Sequence, residues 1–236
     1  MLRDKVVMIT GASRGLGRAL TLAFAEEGAN LVINSRNSDS LDPVVKEAED
    51  AGAEVLAVAA DVSVQADVER LVNAAVDRFG RIDVLVNNAG LLGPRVPIVE
   101  YPEDEWRKVL EANLTGPFLL AKALILHMPE GGSIINVTSG VSIQGRARWG
   151  AYSVSKFGME GFTQILSAEL EERGIRANSV DPGGMRTEMR AAAYPDEDPN
   201  TLVTPEENTD VFLYLASDES RDVTGERFKA QEFQKA

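Results

Sequence analysis

In the run YSVSK, Tyr152 and Lys156 stand four residues apart, so on a helix the phenol and the ammonium share one face. Such a pair can move protons. A free tyrosine titrates near pH ~10 and exchanges a proton at neutral pH only where its phenolate is stabilised, which a cation one turn away can do. Ser139, closing the apolar run GSIINVTS, adds a hydroxyl able to donate to an oxygen on which charge grows. Taken singly, each residue has a plainer account. A serine after a strand is commonly a cap, and a Tyr-Lys pair on a helix is commonly packing and solvent. Their weight comes from the elements that would have to position them.

Those elements alternate. KVVMIT is a short β-rich run that stops at glycine, after which Leu16, Ala19, Leu20, Ala23 and Phe24 recur at helical spacing until Gly28. The pattern repeats as NLVINS with a helix from about Asp39 to Ala51, EVLAVAA with a helix over VQADVERLVNAAVDRFG, and IDVLVNN with one long helix near Pro102–His127. Next come GSIINVTS, a helix near Ala151–Arg173, IRANSVD, and a last helix near Pro205–Ser217. Strands apolar on both faces, each followed by a helix, predict an α/β fold: one doubly wound parallel sheet of Rossmann type with helices on both faces. No composition break divides residues 1–236, so a single domain is expected. AAAYPDEDPNTLVTP is the one long irregular stretch, and such a loop is either a functional lid or disordered.

In an open parallel sheet, ligands sit beyond the carboxyl ends of the strands. TGASRGLG, NNAG and Ser139 would all meet there. Gly11, Gly15 and Gly17 give the spacing G-x-x-x-G-x-G between the first strand and the first helix. The glycines permit a tight turn and a close approach of backbone to phosphate, with a helix N-terminus aimed at the anion. A glycine-rich turn alone can be a mere connection; after the first strand of a βαβ series it reads as a nucleotide site.

Composition narrows the chemistry. Zero cysteines exclude disulfides, thiolate catalysis and Cys-ligated metals, and the single histidine, His127, argues against a histidine metal cluster or a Ser-His-Asp triad. No metal site is expected. A net charge of −13 argues against nonspecific nucleic-acid binding, which needs Lys and Arg in excess. There is no basic opening segment followed by an apolar stretch, and no uninterrupted apolar run approaches the roughly 18 residues of a membrane span. The expectation is a soluble, cytoplasmic protein without a membrane partner.

With TGASRGLG, Asp61-Val62, NNAG, Asn113, Ser139, YSVSK and the PGGMRT of Pro182–Thr187, the chain closely resembles the short-chain dehydrogenase/reductase family in its single-domain form. The resemblance implies an oxidoreductase that passes a hydride between a nicotinamide cofactor and a small carbonyl compound or alcohol. It implies a catalytic tetrad of Asn113, Ser139, Tyr152 and Lys156, with Asn113 holding a water that links Lys156 to solvent. It also implies that Gly11, Ser13, Arg14, Gly15, Leu16 and Gly17 cradle the cofactor phosphates, that Asp61 and Val62 border the adenine, and that Asn87, Ala89 and Gly90 support the crevice. Pro182, Gly183 and Thr187 would lie near the nicotinamide carboxamide, and Tyr152 and Lys156 would reach the cofactor as well as the substrate. Paired long helices imply a homodimer or homotetramer.

Two features of the sequence bear on cofactor and substrate. NAD-preferring enzymes end the second strand with an acid that bonds the ribose 2′-hydroxyl; here VINSRN offers Ser35 and Arg36, which suit a 2′-phosphate, with Arg14 able to approach from the other side. NADP(H) is therefore expected. NAD(H) is the alternative, with Asp39 as the acid, although SDS reads as a helix cap. Many family members finish with a strand carrying DGG. This chain ends VTGERFKAQEFQKA, similar to a bacterial subgroup of oxidoreductases with ill-defined substrates, which leaves both the last strand and the substrate open. The alternative activities are reduction of 3-oxoacyl chains on acyl carrier protein and, in another class, a non-catalytic cofactor-sensing regulator. The segment from about 189 to 204 is expected to act as the substrate lid.

Overall fold

The computed structural model describes residues 2–234; positions 1, 235 and 236 of the expected domain lie outside the described residues. Seven strands form one sheet, all parallel: β1 (Val6–Thr10), β2 (Asn30–Ser35), β3 (Val55–Ala59), β4 (Val84–Asn87), β5 (Ser133–Val137), β6 (Arg176–Asp181) and β7 (Arg227–Lys229). Their order is β3-β2-β1-β4-β5-β6-β7. The connection out of β1 therefore runs toward one edge and that out of β4 toward the other, and the crevice between them opens above their carboxyl ends. The helices are α1 (Gly15–Glu26), α2 (Asp42–Asp50), α3 (Gln65–Phe79), α4 (Glu103–Leu110), α5 (Gly116–Leu124), α6 (Gly150–Glu169), α7 (Glu188–Ala193) and α8 (Asp210–Ala216).

The central strands are buried on both faces, as their unbroken apolar runs require. One face packs Ile9, Leu20, Phe24, Leu31, Val86 and Phe212 into a core under α1, α2 and α8. The other packs Met8, Leu71, Leu85, Leu120, Ile134 and Leu166 under α3, α5 and α6. A third, smaller cluster of Val109, Val141, Trp149, Ala151, Tyr152 and Ala193 lies apart from the sheet.

Several boundaries differ from the sequence reading, each for a local reason. Ser38–Ser40 is not the cap of α2. It forms its own 3-10 turn, capped by the Asn37 side chain accepting from Asp39 N, and α2 starts at Asp42 with Pro43 in its first turn. The expected long helix at Pro102–His127 is broken by a π turn at Glu111–Thr115. By length and composition alone the run Glu103–His127 would suit a bilayer, at mean hydropathy 1.4 over its best window, yet it contains the buried Asn113 and packs on α3 and α6. The irregular stretch after β6 is partly built: α7 extends to Ala193, Pro199–Thr201 forms a 3-10 turn, and Arg186 N donates to Val203 O at 2.9 Å. The divergent tail supplies a last strand after all, since β7 pairs Arg227, Phe228 and Lys229 with Ser179, Val180 and Asp181.

Candidate active site

The glycine turn is built for close approach. A Cβ on Gly17 would lie 2.2 Å from the Gly11 carbonyl oxygen, and Gly11 itself, at φ +67°, would press a Cβ to 2.9 Å from the Ala89 backbone. Asn88 locks this arrangement: its Nδ2 donates to Thr10 O at 2.8 Å and Gly11 O at 3.2 Å, while its backbone N–H donates to Thr10 Oγ1 at 3.1 Å. No side chain caps α1, and its first turn carries no acid, so the positive end of the helix is left open beside Ser13, Gly15 and Leu16. Thr187, which caps α7, brings its methyl within 3.5 Å of where a Gly15 Cβ would stand. The connection after β6 thus reaches over the connection after β1.

Across the crevice, α6 places Tyr152 and Lys156 in buried positions, with the ammonium nitrogen 5.7 Å from the phenol ring centre. Lys156 Nζ donates to Val137 O at 2.7 Å, at the carboxyl end of β5. Burial acts on both groups. It raises the Tyr152 phenol to about 12, against a hydrogen bond from Ser139 that lowers it, with the Asp181 carboxylate raising it further. It lowers the Lys156 ammonium to about 8, partly opposed by Glu160. The lysine thus leaves the phenol well above its ordinary range, because desolvation outweighs attraction across that gap. Ser139 itself caps a short 3-10 turn, its Oγ accepting from Val141 N, and points the same hydroxyl at Tyr152.

Asn113 sits in the π turn with its side chain fully used. Oδ1 accepts from Leu91 N at 2.7 Å, and Nδ2 donates to Leu91 O at 2.9 Å and to Ser155 Oγ at 3.1 Å. It clamps the segment after β4 to α6, with Gly90 beneath it close enough that a Cβ there would lie 3.3 Å from Oδ1. Pro117, four residues on, has no N–H to return to the Asn113 carbonyl, as an α-helix would.

Other predicted residues take different places. Asn87 is buried and donates to Asn136 Oδ1 at 2.8 Å, joining β4 to β5 beneath the crevice instead of facing it. Asp61 accepts from Ser63 N and Ser63 Oγ, which shapes the turn after β3, and Val62 packs into the core below it. Ser35 is buried, its hydroxyl donating to Asn37 O at 2.6 Å and paired with Ser40 Oγ at 2.9 Å. Arg36 is exposed at the carboxyl end of β2 and forms no ion pair among the described residues. Arg14 turns the other way and pairs with Glu188 of α7, an exposed contact of small energetic weight. Pro182 and Gly183 lie under the tail: Gln231 Nε2 donates to Pro182 O at 3.0 Å and to Gly184 O at 2.8 Å.

Two further groups left no sign in the sequence. Arg227 of β7 donates to Asp181 Oδ2 at 2.8 Å and Glu160 Oε1 at 3.1 Å, and Glu160 accepts from Ser142 and Ser179, so the tail braces the turn that carries Ser139. The other is an aromatic cluster beside Tyr152: Trp149 lies at 5.6 Å from Tyr152 and at 6.0 Å from Tyr194 between ring centres, with the Arg95 guanidinium against both Trp149 and Tyr194.

The family model described as short chain dehydrogenase matches residues 5–198. This chain belongs to the short-chain dehydrogenase family. Among its relatives in that family is the Uncharacterized oxidoreductase YciK of Escherichia coli K12, 37% identical over 236 residues that cover 98% of this chain and 93% of the relative. The 3-oxoacyl-[acyl-carrier-protein] reductase FabG of Thermotoga maritima is 38% identical, covering 95% of each. A crystal structure of a short chain dehydrogenase from Shigella flexneri 2a, complexed with NADP, superposes with a TM-score of 0.91 at 36% identity, covering 97% of this chain and 98% of that one. This short-chain dehydrogenase is thus an oxidoreductase with the Rossmann-type parallel sheet expected from its alternating elements.

Proposed function

We propose that the protein reduces a carbonyl compound with NADPH, using Tyr152 as the acid. The observation that carries this is a buried phenol hydrogen-bonded to Ser139 and held above its ordinary range, beside a lysine on the same helix face. A phenol in that state is protonated at neutral pH, which readies it to give a proton to a carbonyl oxygen as that oxygen gains charge. Ser139 steadies the same oxygen by donating to it. Lys156 of α6, whose ammonium meets the Val137 carbonyl at the end of β5, would hold ribose hydroxyls and resupply the proton. Asn113 serves the relay through its main-chain carbonyl, since its side-chain amide is already committed to Leu91 and Ser155.

The residues present fit a dinucleotide: the turn between β1 and α1 has no room for a Cβ at Gly11 or Gly17, and the open end of α1 suits a pyrophosphate. A nicotinamide cofactor, when bound, supplies the hydride. Ser13 and Leu16 lie along that turn, Asp61 and Val62 at the adenine end, Ala89 and Gly90 on the floor, and Pro182, Gly183 and Thr187 at the nicotinamide end. NADP over NAD rests on the unpaired Arg36 and on the NADP complex of the Shigella relative. Residues 189–204 are read as the substrate lid of a single cytoplasmic domain. Val154, Phe157 and Ile165 of α6 and Phe118 of α5 are exposed, and Gly161 between them leaves open space, which suits a twofold helix-pair contact between copies. Reduction of carrier-linked 3-oxoacyl chains is the second reading, favoured by the Thermotoga relative.

The test is a screen of carbonyl compounds with NADPH and NADH, followed at the nicotinamide absorbance, with Tyr152→Phe beside the unaltered protein. Removing only the acid oxygen should lower kcat by at least about 100-fold while NADPH still binds. Retention of most of the kcat would refute the assignment.

A further inference from the structure

Arg95 lies in the segment after β4, Trp149 just before α6, and Tyr194 just after α7; the three side chains meet above Tyr152. The Arg95 guanidinium carbon is 4.6 Å from the Trp149 ring centre and 4.8 Å from that of Tyr194, and Trp149 in turn is 5.6 Å from the Tyr152 ring. Arg190 also lies against Tyr194, at 4.0 Å from its ring centre. The two arginines differ in how their charge is answered. Arg190 is held by Glu197 through two hydrogen bonds of 2.6 Å. Arg95 meets no carboxylate among the described residues: it donates to the Ala193 carbonyl, and its Nε is buried without a partner.

A half-buried guanidinium set against two touching rings, with no carboxylate to pair it among the described residues, keeps a positive charge that solvent answers only in part. The surroundings do not answer it either. Residues 88–99 hold Arg95 as their only charge, and residues 138–159 hold Arg146, Arg148 and Lys156 with no acid, in a chain of net charge −13. Arg146 and Arg148 are exposed, and Arg148 stands in the left-handed region at φ 68°, directly before Trp149. In the facing segment Glu188 pairs with Arg14 and Glu197 with Arg190, while Asp196 and Asp198 are exposed and form no ion pair among the described residues. The loops that frame the phenol are thus locally basic on an acidic protein, which draws anions toward the crevice.

We propose that Arg95 is the anion-recognising residue of the substrate site, and that the substrate carries a carboxylate on the same small molecule as the carbonyl that is reduced. The inference rests on the reductase reading above and narrows its substrate to oxo acids. Arginine is suited to the task because the edge of the guanidinium away from the buried Nε can meet a carboxylate with charge-assisted hydrogen bonds, and Trp149 and Tyr194 hold its position.

The experiment compares acetoacetate and levulinate with the neutral methyl ester of each, in the unaltered protein, in Arg95→Met and in Arg95→Lys. The expected result is a higher kcat/KM for acids than for esters. Arg95→Met should lower that acid-to-ester ratio by about 10- to 100-fold, and the lysine variant should restore part of it. A role confined to packing would lower acids and esters alike and leave the ratio where it was, which would overturn the proposal. So would preference for the esters, or for a carrier-linked 3-oxoacyl chain, in the unaltered protein. Binding separates this from failure of the reductase reading. With two tryptophans in the chain, Trp106→Phe leaves Trp149 as the reporter, and levulinate should change its fluorescence in the NADP-loaded protein and do so about 10-fold more weakly after Arg95→Met. Saturable binding lost with Arg95, without turnover of any carbonyl, would keep the anion site and sink the reductase; ester turnover without acid binding would do the reverse.

Discussion

Replacing Arg36 with alanine removes one charge and almost nothing else. The side chain is exposed at the end of β2 and forms no ion pair among the described residues, so the fold should lose no more than about 0.5 kcal/mol. What it can lose is contact with a phosphate dianion. A charge-assisted hydrogen bond of that kind contributes about 1.5–3 kcal/mol, or roughly 10- to 100-fold in Kd. NADH has no 2′-phosphate, so its affinity should change less than about twofold. Neither neighbour substitutes for the lost charge, since the Ser35 hydroxyl is already spent on Asn37 and Ser40, and Arg14 is paired with Glu188. The assay is calorimetric titration of both cofactors into both proteins at one fixed salt concentration, because screening weakens such contacts, with thermal unfolding as the check on folding. Equal losses for the two cofactors, or a preference for NADH in the unaltered protein, would show that Arg36 does not serve a 2′-phosphate.

Two other outcomes are expected. Phe157→Glu places a charge in the exposed apolar stripe of α6 and should shift the mass seen by light scattering at micromolar concentration from dimer or larger toward monomer; an unaltered protein that is already monomeric would dispose of the helix-pair contact. Amide hydrogen exchange in residues 189–204 should slow when NADPH and a substrate from the screen are added together, and unchanged exchange there would count against a lid.

How far the sequence could be read depended on whether a feature was periodic or relational. β1 to β6 were legible because each is a short apolar run ended by a turn, and the glycine turn because Gly11 and Gly17 tolerate no other residue where the backbone passes so close. YSVSK was legible because a helix converts four residues of spacing into one face. β7 escaped, since three residues of which two are charged do not register as a strand; their role comes from pairing with β6. The braces around Ser139 escaped for the same kind of reason, as Arg227, Glu160 and Asp181 meet only after the sheet is assembled. Arg95, Trp149 and Tyr194 lie in three separate connections, and no spacing links them before the fold does. Asn87 lies beneath the crevice because alternation along β4 turns its side chain toward Asn136 while Asn88 meets the glycine turn.

The π turn at Glu111–Thr115 would confine the effect of a one-residue deletion to the site it carries. A π turn accommodates a residue that a regular α-helix would not, and each helical residue advances the chain by about 100° of rotation. The wider π turn takes up that rotation, so deleting one of the five would let Glu103–Leu124 run as an ordinary helix with the halves before and after the turn keeping nearly their present faces. Leu120 and Leu124 would stay buried on the sheet and Phe118 would stay on the outer face. Asn113 would lose its register with Leu91, so the segment that carries Arg95 would come loose at its root. Point substitutions along this stretch test side chains one at a time, whereas losing a single codon would remove the turn that seats Asn113 while both flanking surfaces stay aimed as they are.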